Sequence, residues 1–209
     1  MTARDWVAWH DEYDDPRSSL HQRLELVQRR IRDALDAQPP GPIRVLSMCA
    51  GQGRDLLGVL ATHPRRDDVH ARLVELDPDN AGQARHSAAP FPNVGVSTGD
   101  AAATSAYADV VPVNLALVCG VFGNITDADI RRTIVELPHL CAPGATVIWT
   151  RHRQPPDLTP AIRSWFTDAG FAEIACEGGQ DNWIGVGTNR FSGTPLPYRP
   201  DLHLFEFEP

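Results

Sequence analysis

The chain has 209 residues, 42% hydrophobic and 22% charged, with a formal net charge of −8. That balance fits one domain with a sizeable core, holds no apolar run of about 18 residues for a membrane span, and lacks the basic surplus that nucleic-acid binding draws on. All 19 basic residues are arginine, so no lysine is at hand for Schiff-base or general-base chemistry.

The first residues, Met1-Thr2-Ala3-Arg4-Asp5-Trp6, lack the long apolar segment of a secretory signal. Cys49, Cys119, Cys141 and Cys176 form no C-x-x-C pair. Free thiols in a reducing, cytoplasmic setting are therefore expected, rather than disulfides or a metal site. Trp6, Trp9, His10 and Tyr13 lie in one short charged stretch that Asp14–Ser19 closes. Residues 1–19 either dock their aromatics on the core or act as a lid over a ligand pocket. Residues 20–209 then form a single domain.

Leu20, Leu24, Val27, Ile31 and Leu35 share one face and predict a helix over 20–37. Pro39-Pro40-Gly41-Pro42 ends it and delivers the chain to a first strand over 43–48. A turn of small residues, Cys49-Ala50-Gly51-Gln52-Gly53, leads into a helix over 54–62. Arg72–Leu76 reads as a second strand, Asp79–Ala88 as a short helix and Val94–Val96 as a weak third strand. Val113–Cys119 is apolar throughout, as a central parallel strand is. Thr126 is a cap for the next helix, and Ala142-Pro143-Gly144 turns into a fifth strand, Ala145–Thr150. Thr159-Pro160 marks a helix start with Thr159 as the cap, and Gly170 a helix stop. Three strand-like runs remain, Phe171–Cys176, Trp183–Thr188 and Leu202–Phe207. Two of them would close the sheet as an antiparallel hairpin, and pattern does not say which two. Alternation of strands and helices points to an α/β sheet.

Strand, glycine turn and helix bring backbone N–H groups up to a nucleotide-bearing ligand. A dinucleotide fingerprint wants G-x-G-x-x-G/A, and Leu56 stands at its third small position. An acid follows at the end of the second strand, Glu75, where a ribose would lie.

Taken together, the arrangement over residues 43–177 resembles a class I S-adenosylmethionine-dependent methyltransferase. That family's first motif, an acid followed by glycines after the first strand, stands as Ser47-Met48-Cys49-Ala50-Gly51-Gln52-Gly53. Its acid after the second strand matches Glu75 in Val74-Glu75-Leu76-Asp77-Pro78, and its acid after the third matches Gly99-Asp100-Ala101. Cys119-Gly120-Val121-Phe122-Gly123-Asn124 follows the fourth strand, and Pro143-Gly144 precedes the fifth. The resemblance implies a Rossmann-like methyltransferase fold: a mostly parallel seven-stranded sheet, an antiparallel C-terminal hairpin and helices on both faces. It also implies an enzyme with S-adenosyl-L-methionine as cofactor. Ser47, Met48, Cys49, Ala50, Gly51 and Gly53 would pass the methionine part. Glu75 and Leu76 would meet the ribose, Asp100 the adenine amine, the Ala101 N–H a ring nitrogen, and Cys119 and Gly120 the reactive methyl. Two positions depart from the pattern. Ser47 replaces an acid, and Cys49 replaces a glycine at a place where glycine reaches positive φ most easily.

Methyl transfer needs alignment and water exclusion, with a base only where the acceptor must lose a proton. Candidates for such a role are His10, Tyr13 and His152, the last at the carboxyl end of the fifth strand. Trp9, Phe122 and Asn124 are candidate substrate contacts. The segment after the fourth strand is not the Asn/Asp-Pro-Pro-aromatic motif of enzymes that methylate amino groups of bases, so a small molecule is the expected partner. Two other readings stay open, an NAD(P)-dependent oxidoreductase and a methyltransferase-fold protein that binds without catalysis.

Overall fold

The Ser18 hydroxyl accepts from the His21 N–H at 3.0 Å and starts helix α1, Ser19–Asp36. Leu20, Val27, Ile31 and Leu35 are buried along it, as their spacing predicts. The structure is a computed structural model that describes Tyr13, Asp15, residues 17–178 and residues 183–207. Trp6, Trp9 and His10 lie outside the described residues.

Strand β1 (Ile43–Met48) is apolar at nearly every position because both its faces are covered. Leu46 and Met48 enter one core, and Ile43 and Val45 the other. The chain continues through α2 (Arg54–Leu60), β2 (Val69–Glu75), α3 (Pro78–Ala88), β3 (Val94–Thr98) and β4 (Val113–Val118). Then come α4 (Asp127–Glu136), β5 (Cys141–His152), α5 (Thr159–Asp168), β6 (Phe171–Gly178) and β7 (Ile184–Phe191). The seven strands form one sheet in the order β3-β2-β1-β4-β5-β7-β6. The first five are parallel, and β7 runs antiparallel to both β5 and β6. The expected sheet, parallel with an antiparallel closing hairpin, is the one observed. Strand β1 lies between β2 and β4, so successive connections leave the sheet in opposite directions, and a crevice opens at the carboxyl ends of β1 and β4.

Two local expectations are corrected, and one that the sequence left open is settled. The Pro143-Gly144 turn lies inside β5, not before it. Val113 pairs with Cys141 but Leu115 with Thr146, so the strand bulges there, with Gly144 at φ 75°. The cap of α5 is Leu158, with Thr159 already helical, and the Asp157 carboxylate takes the Thr159 N–H at 2.9 Å. Of the three late apolar runs, the first two make the hairpin. Leu202–Phe207 stays off the sheet, and its β-type pairing is limited to isolated bridges of His203 with Ala103 and of Phe207 with Ile125. Its Leu204 and Phe205 are buried, so packing and scattered hydrogen bonds hold it rather than a ladder.

Candidate active site

Because β1, β2, β3 and β4 are parallel, their carboxyl ends bring the four sequence landmarks to one edge of the sheet. The turn after β1 alternates into left-handed backbone, with φ 50° at Cys49, 54° at Gly51 and 74° at Gly53. Cys49 thus holds the conformation that its side chain was expected to disfavour, at a cost of about 1 kcal/mol. The turn is tied down by two backbone bonds. Ala50 N–H donates to the Val74 carbonyl at 3.0 Å, and Gly53 N–H to the Ala50 carbonyl at 2.8 Å. A Cβ at Gly53 would sit 2.7 Å from Leu57 Cδ1 and 3.1 Å from Leu73 Cδ2. That glycine lets α2 pack close on the sheet, a reason different from ligand clearance. Ser47 is buried in β1, in register with Leu73 and Leu117.

Glu75 ends β2 with both carboxylate oxygens engaged by backbone. Oε2 accepts from Gly51 N–H at 2.7 Å and Oε1 from Asp77 N–H at 2.9 Å. The neighbouring Leu76 is an exposed large apolar side chain, 67% accessible. Asp100 lies beyond β3. Its Oδ1 accepts from Ala102 N–H at 2.8 Å, and its Oδ2 lies 2.8 Å from His203 Nε2. Ala101 is buried, and its carbonyl accepts from the Tyr107 hydroxyl at 2.9 Å. Burial first, and then the charges of Glu75 and Asp100, push the Cys49 thiol well above its ordinary range. Buried and beside these negative charges, the thiol stays protonated.

At the next strand end, Cys119 is buried and its Sγ lies 3.9 Å from the Ile148 carbonyl. Burial, then Asp55 in the first turn of α2, hold its thiol far up. It is a small core residue rather than a nucleophile. Gly120 takes φ 76°, and its N–H donates to Thr150 Oγ1 at 2.8 Å. Asn124 folds back over this loop, its Nδ2 donating to the Gly120 carbonyl at 2.7 Å. Phe122 turns into the core. It is fully buried, with its ring centroid 6.0 Å from that of Trp149 and 6.4 Å from that of Phe166. An aromatic in a loop is drawn into whatever core lies beneath, and here α5 supplies one.

His152 ends β5, and its Cδ2 would lie 3.6 Å from a Cβ at Gly123, so the ring stands against the loop after β4. Its Nδ1 is enclosed and has no hydrogen-bond partner among the described residues. Burial, then the charge of Arg151, lower its pKa, with Asp157 opposing. Arg151 itself donates to the Phe122 carbonyl. Tyr13 reaches the opposite side. It is buried, its hydroxyl accepts from Arg23 Nη2, and the Arg23 and Arg54 guanidinium carbons lie 5.4 and 5.5 Å from its ring centroid. Glu75 and Asp100 thus follow from β2 and β3, Cys119 from β4 and His152 from β5, and Tyr13 packs on Arg23 and Arg54, while Trp9 and His10 lie outside the described residues. His203 is a neighbour that sequence reading missed, 103 positions from Asp100 and without a local motif.

Among the described residues no group of three or more His, Cys, Asp or Glu is placed to hold a metal ion. Among them, no helix is long and apolar enough to cross a membrane.

The sequence matches no protein-family model and no curated protein. Its three-dimensional arrangement does have solved counterparts. It is similar to magnesium protoporphyrin IX methyltransferase (ChlM) from Synechocystis PCC 6803 with bound SAM, at 12% identity and a TM-score of 0.67, covering 90% of this chain and 91% of that one. The N-methyltransferase NodS from Bradyrhizobium japonicum WM9 gives 14% identity and a TM-score of 0.62, over 87% of this chain and 99% of that one. The CurJ carbon methyltransferase gives 15% and 0.63, and here the match covers 81% of this chain but only 54% of the CurJ chain. The fold is the Rossmann-like fold of class I methyltransferases.

Proposed function

We propose that this methyltransferase-fold chain is an enzyme that transfers a methyl group from S-adenosylmethionine to a small molecule. The observation that carries the reading is the pair Glu75 and Asp100. Glu75 ends β2 and is bonded to the turn after β1 at Gly51, and Asp100 stands two residues past the end of the adjacent parallel strand β3.

The donor set fits the cofactor. An ionised carboxylate offers about four acceptor positions. Backbone N–H groups fill one on each oxygen of Glu75, which leaves one per oxygen for the two ribose hydroxyls. Asp100 likewise retains acceptor capacity for an exocyclic amine, and the Ala101 N–H lies beside it. When bound, the cofactor supplies an electrophilic methyl whose carbon–sulfur bond breaks as the acceptor's lone pair forms the new bond. The protein's task is then to orient the acceptor in line and keep water out.

Gly120, fixed by Thr150 and Asn124, gives the loop after β4 a set shape, and this loop would border the reactive methyl. His152 is the residue placed to take a proton from a protic acceptor. Its neutral form is favoured by burial and by Arg151, and its enclosed Nδ1 lacks a partner. Tyr13 itself packs on Arg23 and Arg54. The solved counterparts include a carbon and a nitrogen methyltransferase, so the fold sets no acceptor atom. The negative charge favours a small-molecule acceptor over a nucleic acid.

Thermal denaturation with S-adenosylhomocysteine against NAD tests the reading. A rise in melting temperature with S-adenosylhomocysteine is expected. Stabilisation by NAD alone overturns it in favour of the oxidoreductase.

A further inference from the structure

The segment after β7 returns across the molecule to the far side of the sheet. Leu196 N–H donates to the Pro138 carbonyl at 3.1 Å, and Leu204 N–H to the Ala102 carbonyl at 3.0 Å. Thr104 Oγ1 donates to the Arg199 carbonyl at 2.6 Å, and the Tyr198 hydroxyl to the Thr104 carbonyl at 3.1 Å. Arg132 Nε and Thr133 Oγ1 both donate to the Leu204 carbonyl, at 2.9 and 3.2 Å, and Glu206 N–H donates to Asp129 Oδ2 at 3.1 Å. With Leu204 and Phe205 buried, the backbone on both sides of residue 203 is fixed. His203 therefore meets Asp100 from a rigid strap rather than from a wandering tail.

We propose that His203 is a positioning residue of the cofactor site: it locks the Asp100 carboxylate in the orientation that receives the adenine amine, and so helps select the nucleobase. The inference rests on the cofactor reading above. A free aspartate carboxylate turns about its last bond. Here the Ala102 N–H holds Oδ1 and His203 Nε2 holds Oδ2, so the plane of the group is set from both oxygens. A carboxylate only accepts, so Nε2 carries the proton whether the ring is neutral or charged. The other ring nitrogen, Nδ1, faces Glu206 Oε1 at 3.9 Å, and among the described residues Asp100 and Glu206 are the acidic groups paired with the ring. A fixed acceptor attracts a base with an exocyclic amine. It repels a base that presents a carbonyl there, because it has no rotation by which to yield. Without His203 both effects soften. The pair is about half exposed, which limits the effect to a modest factor.

The test is calorimetric titration of the full chain with S-adenosylhomocysteine and with its deaminated analogue, S-inosylhomocysteine. The proteins are the wild type, His203→Ala, His203→Gln, Asp100→Asn and the His203→Ala/Asp100→Asn double variant. His203→Ala is expected to weaken S-adenosylhomocysteine about five- to tenfold and to narrow its preference over the inosine analogue. Glutamine keeps an N–H donor and is expected to recover most of the loss; it also serves if the alanine variant folds poorly. In the Asp100→Asn background the same His203→Ala change should cost less than about twofold. Unchanged affinity in His203→Ala, or an equal loss in both backgrounds, overturns the inference and leaves the cofactor reading standing. A wild-type chain that binds no S-adenosylhomocysteine overturns the cofactor reading itself.

Discussion

Gly51 and Glu75, 24 residues apart in sequence, are joined by a 2.7 Å hydrogen bond in which the glycine N–H donates to Oε2. The bond ties the turn after β1 to the end of β2, so one carboxylate both shapes the turn and faces the crevice. Glu75→Ala removes the acceptor for two backbone N–H groups along with the predicted ribose contacts. Loss of two charge-assisted hydrogen bonds predicts about a hundredfold weaker S-adenosylhomocysteine binding, read by titration calorimetry. Glu75→Gln keeps one accepting oxygen and is expected to fall between wild type and alanine. Undiminished binding by the alanine variant places the cofactor elsewhere.

Gly187 and Trp149 predict a stability effect remote from the crevice. The two residues pair across β5 and β7, and a Cβ at 187 would lie 2.1 Å from Trp149 Cε2. The indole cannot step aside, because it is fully buried and donates from Nε1 to Asn189 Oδ1 at 2.8 Å. Gly187→Ala is expected to cost about 3 kcal/mol, or roughly 6–12 °C in melting temperature. A shift below about 2 °C would show that the sheet relaxes far more easily than this packing implies.

His152 sets a pH dependence. Its folded pKa lies below the ordinary histidine value of 6.5. The unfolded chain therefore binds the proton more readily, and unfolding is favoured as pH falls. Stability from this group is complete above 6.5 and declines from there down to the folded value. His152→Asn should flatten the slope of denaturant-derived stability against pH across that window. An unchanged slope assigns the dependence to other groups.

The cysteines give a chemical readout of the same packing. Cys119 and Cys141 are both buried, and burial pushes Cys141 up to about 12 and Cys119 higher than its ordinary range. Iodoacetamide at pH 8 is expected to leave both unlabelled in the native protein and to label them on unfolding, as read by peptide mass spectrometry. Native-state labelling of Cys119 would mean that the end of β4 opens to solvent.

Much of this was legible in the sequence because the signals are local. The apolar run at Val113–Val118 and the glycine turn 49–53 each carry their structure within a few residues. Glu75 and Asp100 could be placed because parallel strands bring all their carboxyl ends to one edge. Long-range partners were not legible. Nothing near Leu202–Phe207 says that it forms a strap rather than a strand, since an apolar run encodes burial and not pairing. The packing of Phe122 was hidden for the same reason: its loop position is visible in sequence, but the core of Trp149 and Phe166 beneath it is not. Cys49 shows a further limit, because two backbone bonds and the Gly51–Glu75 bond around it settle a φ that its own side chain opposes.

The insertion of β7 between β5 and β6 has a consequence for the order in which the chain is made. Strand β6 leaves the ribosome first, yet its only partner in the sheet is β7. Until residue 191 has emerged, β5 presents a bare edge with seven residues waiting for the hairpin. An unpaired edge of that length is a template for another chain. A ribosome that stalls within 179–191 therefore exposes a sticky border, whereas one that stalls before Cys141 does not yet carry it.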